Sequence, residues 1–132
     1  MKRKLILGID FDGTITSSNA WPRIEGIAKN AKEVINELHD VYNVIIIIWT
    51  CRNNSYHNDL DKAKQFLIEN NIHFDYINCN AKEIMHIWNN NPRKVFADFY
   101  IDDRSFLFED IDWLKIKNYI VNYKNKNKEH FL

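Results

Sequence analysis

The chain has 132 residues, a length typical of one domain, and we predict a single domain over residues 1–132. Its 18 Lys and Arg residues balance 18 Asp and Glu residues, so the formal net charge is zero. This balance excludes a global basic field of the kind that holds nucleic acid, although local charge asymmetry stays open. Apolar residues form 45% of the chain, which is enough for a core and excludes a disordered protein.

Cysteine use and apolar run lengths indicate the compartment. Cys51 and Cys79 are too few for a disulfide scaffold and favour a reducing environment. The apolar run that follows the basic segment Met1–Lys4 stops at Asp10, which is too short for a signal peptide. The run Val44–Trp49 is too short to cross a bilayer. We therefore expect a soluble, cytoplasmic protein with no membrane partner.

Hydrophobic periodicity predicts strands and helices that alternate along the chain. In chain order, the predicted elements are strand Lys4–Ile9, helix Ala31–Tyr42, strand Val44–Trp49, helix Asp59–Glu69, strand Phe74–Cys79, helix Ala81–Trp88, strand Val95–Ile101 and helix Ile111–Tyr123. A short final strand within the last segment stays open. This order predicts an α/β fold, a three-layer Rossmann-like parallel sheet with helices on both faces. The basic tail, residues 124–132, is expected to be frayed.

Acidic, hydroxyl and basic residues follow the predicted strands. Ligands of open parallel sheets bind beyond the carboxyl ends of the strands, so we expect these side chains to converge at one edge. They are Asp10, Asp12, Thr50, Arg52, Lys82, Asp102 and Asp103. Carboxylates gathered at one point need a counter-charge, and Mg²⁺ takes oxygen ligands. Since hydroxyls and cations hold phosphate oxygens, the pattern favours phosphoryl transfer.

The segment Asp10–Thr14 supplies the groups that such chemistry needs. One aspartate can attack phosphorus, and the other can protonate the leaving oxygen and later deprotonate water. Gly13 permits a tight turn that brings the backbone close to the ligand. The same acids could begin a calcium-binding loop, but the twelfth position of that loop is Trp21 rather than Glu.

The segment Ile9–Thr14, which follows an apolar strand, resembles the first motif of the haloacid dehalogenase (HAD) superfamily of phosphohydrolases. Thr50 resembles the second motif and Lys82 the third, while Asp102 and Asp103 resemble the fourth. The four motifs occur in order, and the resemblance spans residues 5 to about 103, which is most of the chain. It implies the HAD-like form of the α/β fold described above.

Shorter stretches resemble particular branches of that superfamily. Thr50–Arg52, Lys82–Glu83 and Ile101–Arg104 are similar to the phosphatase domain of polynucleotide kinase-phosphatases. Ala20–Ile24 and Pro92–Lys94 are similar to small, capless, uncharacterised hydrolases of bacteria and phages. The segments between the motifs are too short to hold a cap domain, so we expect an open site. Open sites in this superfamily go with large phosphorylated partners or with closure by a neighbouring subunit.

The resemblance implies a Mg²⁺-dependent phosphomonoester hydrolase that acts through an aspartyl-phosphate. It implies that Asp10 is the nucleophile and a metal ligand, and that Asp12 is the acid and base and binds the metal through its carbonyl. Asp102 and Asp103 would complete the metal shell. The residues expected to bind the phosphate or the rest of the substrate are Gly13, Thr14, Arg23, Thr50 and Arg52.

The phosphate-binding lysine is left open between Lys82 and Lys94. Lys94 matches the capless group, but it precedes the strand that ends at Asp102 and would lie about 25 Å from that edge. Geometry therefore favours Lys82, which we assign a catalytic role. Lys94 is kept as an alternative phosphate-binding residue.

The substrate is not fixed by the sequence. A phosphorylated small molecule and a polynucleotide end both suit the motifs, and zero net charge disfavours nucleic acid. A homo-oligomer stays open. The alternatives to a hydrolase are a non-catalytic phosphate- or nucleotide-binding module of the same fold and a phosphotransferase. Trp21 either stacks on a ring of the substrate or closes its loop over the core.

Overall fold

A computed structural model describes residues 1–106 and 109–132, and its elements alternate along the chain as predicted. The strands are β1 (Ile6–Ile9), β2 (Ile45–Ile48), β3 (Tyr76–Ile77) and β4 (Phe99–Ile101). The helices are α1 (Ala31–Asp40), α2 (Asp59–Glu69), α3 (Lys82–Trp88) and α4 (Trp113–Lys126). Over these described residues, no helix is both long and apolar enough to cross a membrane.

The strands form a parallel sheet in the order β3-β2-β1-β4. Ile9, the last residue of β1, pairs with Ile48 of β2 and with Ile101 of β4, so these strands end at the same level. The chain leaves β1 toward β2 and returns on the other side of β1 as β4. Such a reversal opens a crevice at the carboxyl end of a parallel sheet. The predicted α/β class and parallel sheet are confirmed.

Helices cover both faces of the sheet and give the three-layer arrangement. The larger core packs α1, α2 and α4 against alternate strand residues such as Leu7 and Ile46. The smaller core packs Ile84 of α3 against Ile6 and Ile47 on the opposite face. Each fully buried aliphatic side chain contributes roughly 1.5–3 kcal/mol, which explains why continuous apolar runs form the central strands.

The two edge strands are shorter than predicted, because aspartate side chains replace part of the strand pairing. Asp75 precedes β3, and its carboxylate accepts the N–H of Ile46 at 2.9 Å. Asp98 precedes β4 in the same way and accepts the N–H of Ile6 at 2.8 Å. Asp98 is also paired with Arg3 at 2.6 Å. These carboxylates satisfy backbone donors that a longer edge strand would otherwise have to satisfy.

The prediction of a frayed tail over residues 124–132 is wrong. Helix α4 continues to Lys126, and Phe131 is buried in the larger core. The backbone of Arg3 donates to His130 at 3.1 Å and accepts from Leu132 at 2.9 Å. Burial of the Phe131 ring offsets the entropy cost of ordering this segment.

Candidate functional site

A cavity of about 610 Å³ opens at the carboxyl end of the sheet, and we call it the acidic cavity. It lies where β1, β2 and β4 end, at the crevice that the strand order creates. Its lining consists of Asp10, Asp12, Asn19, Trp21, Thr50, Cys51, Arg52, Asn53, Asp59, Asp102, Asp103 and Arg104. The predicted aspartates, Thr50 and Arg52 are therefore brought together.

Three carboxylates in the acidic cavity are close enough to share one ion. Asp10, Asp102 and Asp103 each offer an oxygen, and these oxygens lie within 4.8 Å of one another. Burial and the negative charge of Asp102 raise the pKa of Asp10 to about 7. The donor set is entirely carboxylate oxygen, which fits Mg²⁺ better than a softer metal.

Thr14 organises these carboxylates from below. Its hydroxyl donates to Asp10 Oδ2 at 3.1 Å and accepts the N–H of Asp103 at 3.0 Å. Its carbonyl accepts from the indole N–H of Trp113, the first residue of α4, at 3.1 Å. Thr14 is fully buried and does not line the acidic cavity. Thr14 therefore holds the carboxylates of the site in place, whereas we had predicted that it contacts the substrate.

Gly13 lets the loop after β1 lie close to the carboxylate of Asp103, which follows β4. Its φ of 77° lies in the left-handed region, and a Cβ at this position would overlap the carboxylate of Asp103. Its N–H donates to the hydroxyl of Thr16 at 2.9 Å. Any side chain here would strain the turn and displace a predicted metal ligand.

Arg52 holds Asp12 through a two-pronged ion pair. The Nε and one terminal nitrogen of Arg52 donate to the two oxygens of Asp12 at 2.8 and 2.7 Å. The guanidinium also donates to the carbonyls of Pro22 and Asp59, both at 3.3 Å, and lies over the Phe11 ring. The Arg52 side chain is only 1% exposed. Its donors are thus directed at the protein rather than at the open part of the cavity.

Asn78 shapes the turn after β2, and the sequence analysis missed it. Its side-chain oxygen accepts the N–H of Thr50 at 2.8 Å, and its amide donates to the carbonyl of Arg52 at 3.3 Å. The Thr50 hydroxyl accepts the N–H of Arg52 at 3.1 Å, so its own proton can be donated to a ligand. The available signal was a polar asparagine near the end of the predicted strand Phe74–Cys79, which the structure ends at Ile77.

Trp21 and Asp59 form one wall of the acidic cavity. The Trp21 indole donates to Asp59 Oδ2 at 3.1 Å, although 58% of the residue is exposed. Asp59 is buried, and its Oδ1 has no hydrogen-bond partner among the described residues. A buried carboxylate oxygen without a donor is energetically costly, and this one has almost no surface that a bound molecule could reach.

Three predicted cationic residues do not line the acidic cavity in the described part of the chain. Lys82 is exposed at the first turn of α3. The Lys94 ammonium lies over the Tyr100 ring, 4.9 Å from its centroid. Arg23 forms an exposed ion pair with Glu25 at 3.1 Å. These three residues were predicted to bind phosphate, but the described part of the fold does not bring them to the acidic cavity.

Arg104 does line the acidic cavity, and it was not among the predicted site residues. It follows the acidic pair after β4, and its N–H donates to Asp102 Oδ1 at 2.9 Å. Its exposed side chain adds a cation to the cavity lining, whereas the buried guanidinium of Arg52 is paired with Asp12. The signal for it was the position directly after Asp103.

Comparison with known proteins supports the fold. No family model and no curated protein matches the chain. Among solved structures, the chain is similar to a conserved protein coded by a locus of Bacteroides thetaiotaomicron, with a TM-score of 0.77 and 29% identity. The alignment covers 92% of this chain and 93% of that chain. The likeness thus extends over nearly the whole α/β domain.

Proposed function

We propose that the chain is a Mg²⁺-dependent phosphomonoester hydrolase of the HAD superfamily that forms an aspartyl-phosphate on Asp10. The observation that carries this proposal is the convergence of Asp10, Asp102 and Asp103 beside Asp12 in one open cavity. Carboxylates of this number at a ligand-binding crevice suit a metal-assisted phosphoryl transfer better than a structural role.

Asp10, Asp102 and Asp103 are the residues that would hold Mg²⁺. Burial, and then the negative charge of Asp102, raise the pKa of Asp10, so a bound cation would favour its ionised form. When bound, Mg²⁺ would offset that charge and polarise the phosphate. The pKa of Asp10 would then fall, and its carboxylate would be ionised as nucleophilic attack requires.

The reaction divides into two displacements at phosphorus. First, an Asp10 oxygen attacks, the ester P–O bond breaks, and Asp12 gives a proton to the leaving oxygen. Second, Asp12 takes a proton from water, the resulting hydroxide attacks phosphorus, and the bond to Asp10 breaks. Inorganic phosphate leaves, and both aspartates return to their starting forms.

Neighbouring residues orient these groups. Arg52 fixes both oxygens of Asp12 and so acts as a positioning residue. The Thr50 hydroxyl and the Arg104 side chain are the groups that can meet phosphate oxygens in the cavity. Trp21, which lines the cavity and is largely exposed, would contact the rest of the substrate.

The placement of the lysines favours a second candidate, a non-catalytic phosphate-binding module. Within the described residues, neither Lys82 nor Lys94 lines the acidic cavity, whereas the HAD resemblance implies a lysine on the transferring phosphate. A chain that lacks this cation could still bind a phosphate through Thr50, Arg104 and a metal ion. The two candidates differ because only the hydrolase would release phosphate from an ester.

The deciding experiment measures phosphate release from sugar phosphates, nucleoside monophosphates and oligonucleotides with a terminal phosphate. We expect Mg²⁺-dependent turnover that EDTA abolishes and that Asp10→Asn reduces by at least about 10³-fold. Asp110→Asn, an exposed acid outside the acidic cavity, is the matched control and should leave turnover unchanged.

The other outcomes separate the candidates. Calorimetric binding of inorganic phosphate with Mg²⁺, in a wild-type chain inert on every ester, would establish the binding module instead. Turnover that survives Asp10→Asn would exclude Asp10 as the nucleophile. An acceptor alcohol that becomes phosphorylated in the assay would identify a phosphotransferase.

A further inference from the structure

A second group of ligand-type side chains lies at the amino edge of the sheet, opposite the acidic cavity. His39 and Asp40 end α1, and His73 lies between α2 and β3. Each offers one ligand atom, and these atoms lie within 4.8 Å of one another. We call these three residues the histidine cluster. No sequence motif indicated it, because 33 residues lie between the two histidines.

The ring nitrogens converge on one carboxylate. His39 Nδ1 lies 2.7 Å from Asp40 Oδ1, and His73 Nδ1 lies 2.9 Å from Asp40 Oδ2. The two imidazole rings are 5.8 Å apart between centroids and inclined by 67°. Zinc bonds of about 2.0–2.2 Å place neighbouring tetrahedral ligand atoms about 3.3 Å apart. Small side-chain rotations would therefore open these contacts to the separations that an ion requires.

The histidine cluster also has supporting partners of the kind that metal sites use. The second ring nitrogen of His39 lies 3.0 Å from Asp75 Oδ1. The other oxygen of Asp75 accepts the N–H of Ile46 at 2.9 Å, which fixes this carboxylate to β2. A carboxylate on the far nitrogen of a histidine sets its tautomer and orients it toward a metal.

The segment that carries His73 is held against α1. The Asn36 side chain accepts the N–H of His73 at 2.8 Å and donates to the carbonyl of Asn71 at 2.8 Å. Both histidines are therefore fixed by contacts outside the histidine cluster. His73 and Asp40 remain 44% and 46% exposed as side chains, so an ion can reach them from solvent.

We propose that His39, Asp40 and His73 bind a divalent transition-metal ion of the Zn²⁺ type, with Asp75 as the supporting partner of His39. Two imidazoles and one carboxylate match the ligands of Zn²⁺ and leave a position for water, whereas Mg²⁺ prefers oxygen alone. The bound ion joins the end of α1 to the segment before β3. This site is independent of the proposed function.

The test is a titration of the full chain with Zn²⁺ alone, at mildly alkaline pH, in competition with a chromophoric chelator. We expect one site that His73→Gln removes and that His86→Gln, an exposed histidine on α3, leaves intact. Asp75→Asn should weaken binding by about 10–100-fold while keeping every direct ligand. Co²⁺ should give visible absorption in the wild type, and His73→Gln should abolish it.

The acidic cavity needs its own control, because its carboxylates can also take up Zn²⁺. Asp10→Asn should retain the site that His73→Gln removes. Zn²⁺ should therefore raise the melting temperature of Asp10→Asn but not that of the double variant Asp10→Asn/His73→Gln. Equal Zn²⁺ affinity in the wild type and in His73→Gln would overturn the proposal. The contacts among His39, Asp40 and Asp75 would then be a metal-free hydrogen-bond network.

Discussion

Arg52 shows how burial changes the role of a residue. Its position after β2 suggested a substrate contact, but the structure encloses its guanidinium and directs it at Asp12. A buried cation is tolerated only when a partner offsets its desolvation, and Asp12 is that partner. Asp12 in turn receives a fixed orientation beside Asp10. Arg52 would therefore act on the proposed reaction through Asp12.

Substitution of Arg52 should separate charge from geometry. Arg52→Met leaves Asp12 without its partner and should lower the free energy of unfolding by about 3–5 kcal/mol, measured by urea denaturation. Arg52→Lys keeps the charge but loses the planar fork, so turnover should fall by about 10²-fold with a smaller loss of stability. Arg23→Met, which breaks only an exposed pair, should change stability by less than about 0.5 kcal/mol. Full turnover in Arg52→Lys would contradict the positioning role.

The carboxylates of the acidic cavity should make the metal-free protein sensitive to pH. The pKa of Asp10 is raised from 3.8 to about 7, chiefly by burial and then by Asp102. Because the folded chain holds this proton more tightly than the unfolded chain, the resulting stabilisation is present at low pH and lost as pH rises through about 7. Asp10→Asn should therefore flatten the dependence of the free energy of unfolding on pH, measured in EDTA, between about pH 3.8 and about pH 7.

Magnesium gives the complementary measurement. At a pH above the raised pKa of Asp10, Mg²⁺ should stabilise the wild type against urea by mass action. Asp10→Asn should gain much less, because one of the three carboxylates proposed to hold the ion is replaced by an amide. If the free energy of unfolding depends on pH in the same way in the wild type and in Asp10→Asn, the raised pKa of Asp10 is not the cause of that dependence.

At the scale of elements, periodicity predicted the order of strands and helices, because burial of one face is a local property of each segment. The boundaries of β3 and β4 were not predictable in this way. Asp75 and Asp98 precede those strands, and their carboxylates accept N–H groups from a neighbouring strand, which is a tertiary contact. The buried tail around Phe131 was missed for the same reason.

The candidate site was predictable to the extent that topology alone determines it. Asp10 and Asp102 follow neighbouring parallel strands, so any such sheet brings them together. The direction of Lys82 depends on how α3 docks, and the histidine cluster depends on how α1 meets the segment before β3. Docking of this kind has no signal in a single sequence.

Asparagine takes the conformational role of glycine in this chain, which has only three glycines. Within residues 1–106 and 109–132, the non-glycine residues with positive φ are Asn30, Asn43, Asn58, Asn71, Asn78 and Asn89. They occur beside helices and in turns, where a left-handed residue ends or begins an element. Asparagine at these positions thus has a structural use.

Asn89, which ends α3 with a φ of 48°, gives a test of this role. Asn89→Ala should lower the free energy of unfolding by about 1 kcal/mol, because a Cβ without a compensating side chain disfavours the left-handed region. Asn89→Gly should be neutral or slightly stabilising. The control is Asn122→Ala on the exposed face of α4, where higher helix propensity should give no loss. Equal urea midpoints for Asn89→Ala and the wild type would contradict this interpretation.

At the scale of the whole molecule, the tail joins the two ends of the chain at the amino edge of the sheet. Phe131→Ala removes a buried ring and should lower the free energy of unfolding by about 3–5 kcal/mol. Turnover of the folded fraction should be unchanged, since the tail lies at the edge opposite the acidic cavity. Leu132→Ala, at an exposed neighbour, should have little effect on stability. If Phe131→Ala lost turnover without losing stability, the tail would affect the acidic cavity, contrary to this prediction.

The position of β2 has a consequence for self-association. Ile45–Ile48 is an uncharged β-branched segment of the kind that stacks into intermolecular sheets when it is exposed. In the native fold both faces of this segment are covered, and β1 and β3 pair with its two sides. Since β3 is only two residues long, its release would uncover one side of β2 while the rest of the sheet persists. Heating should therefore end in precipitation that begins at β2, before the sheet as a whole has melted.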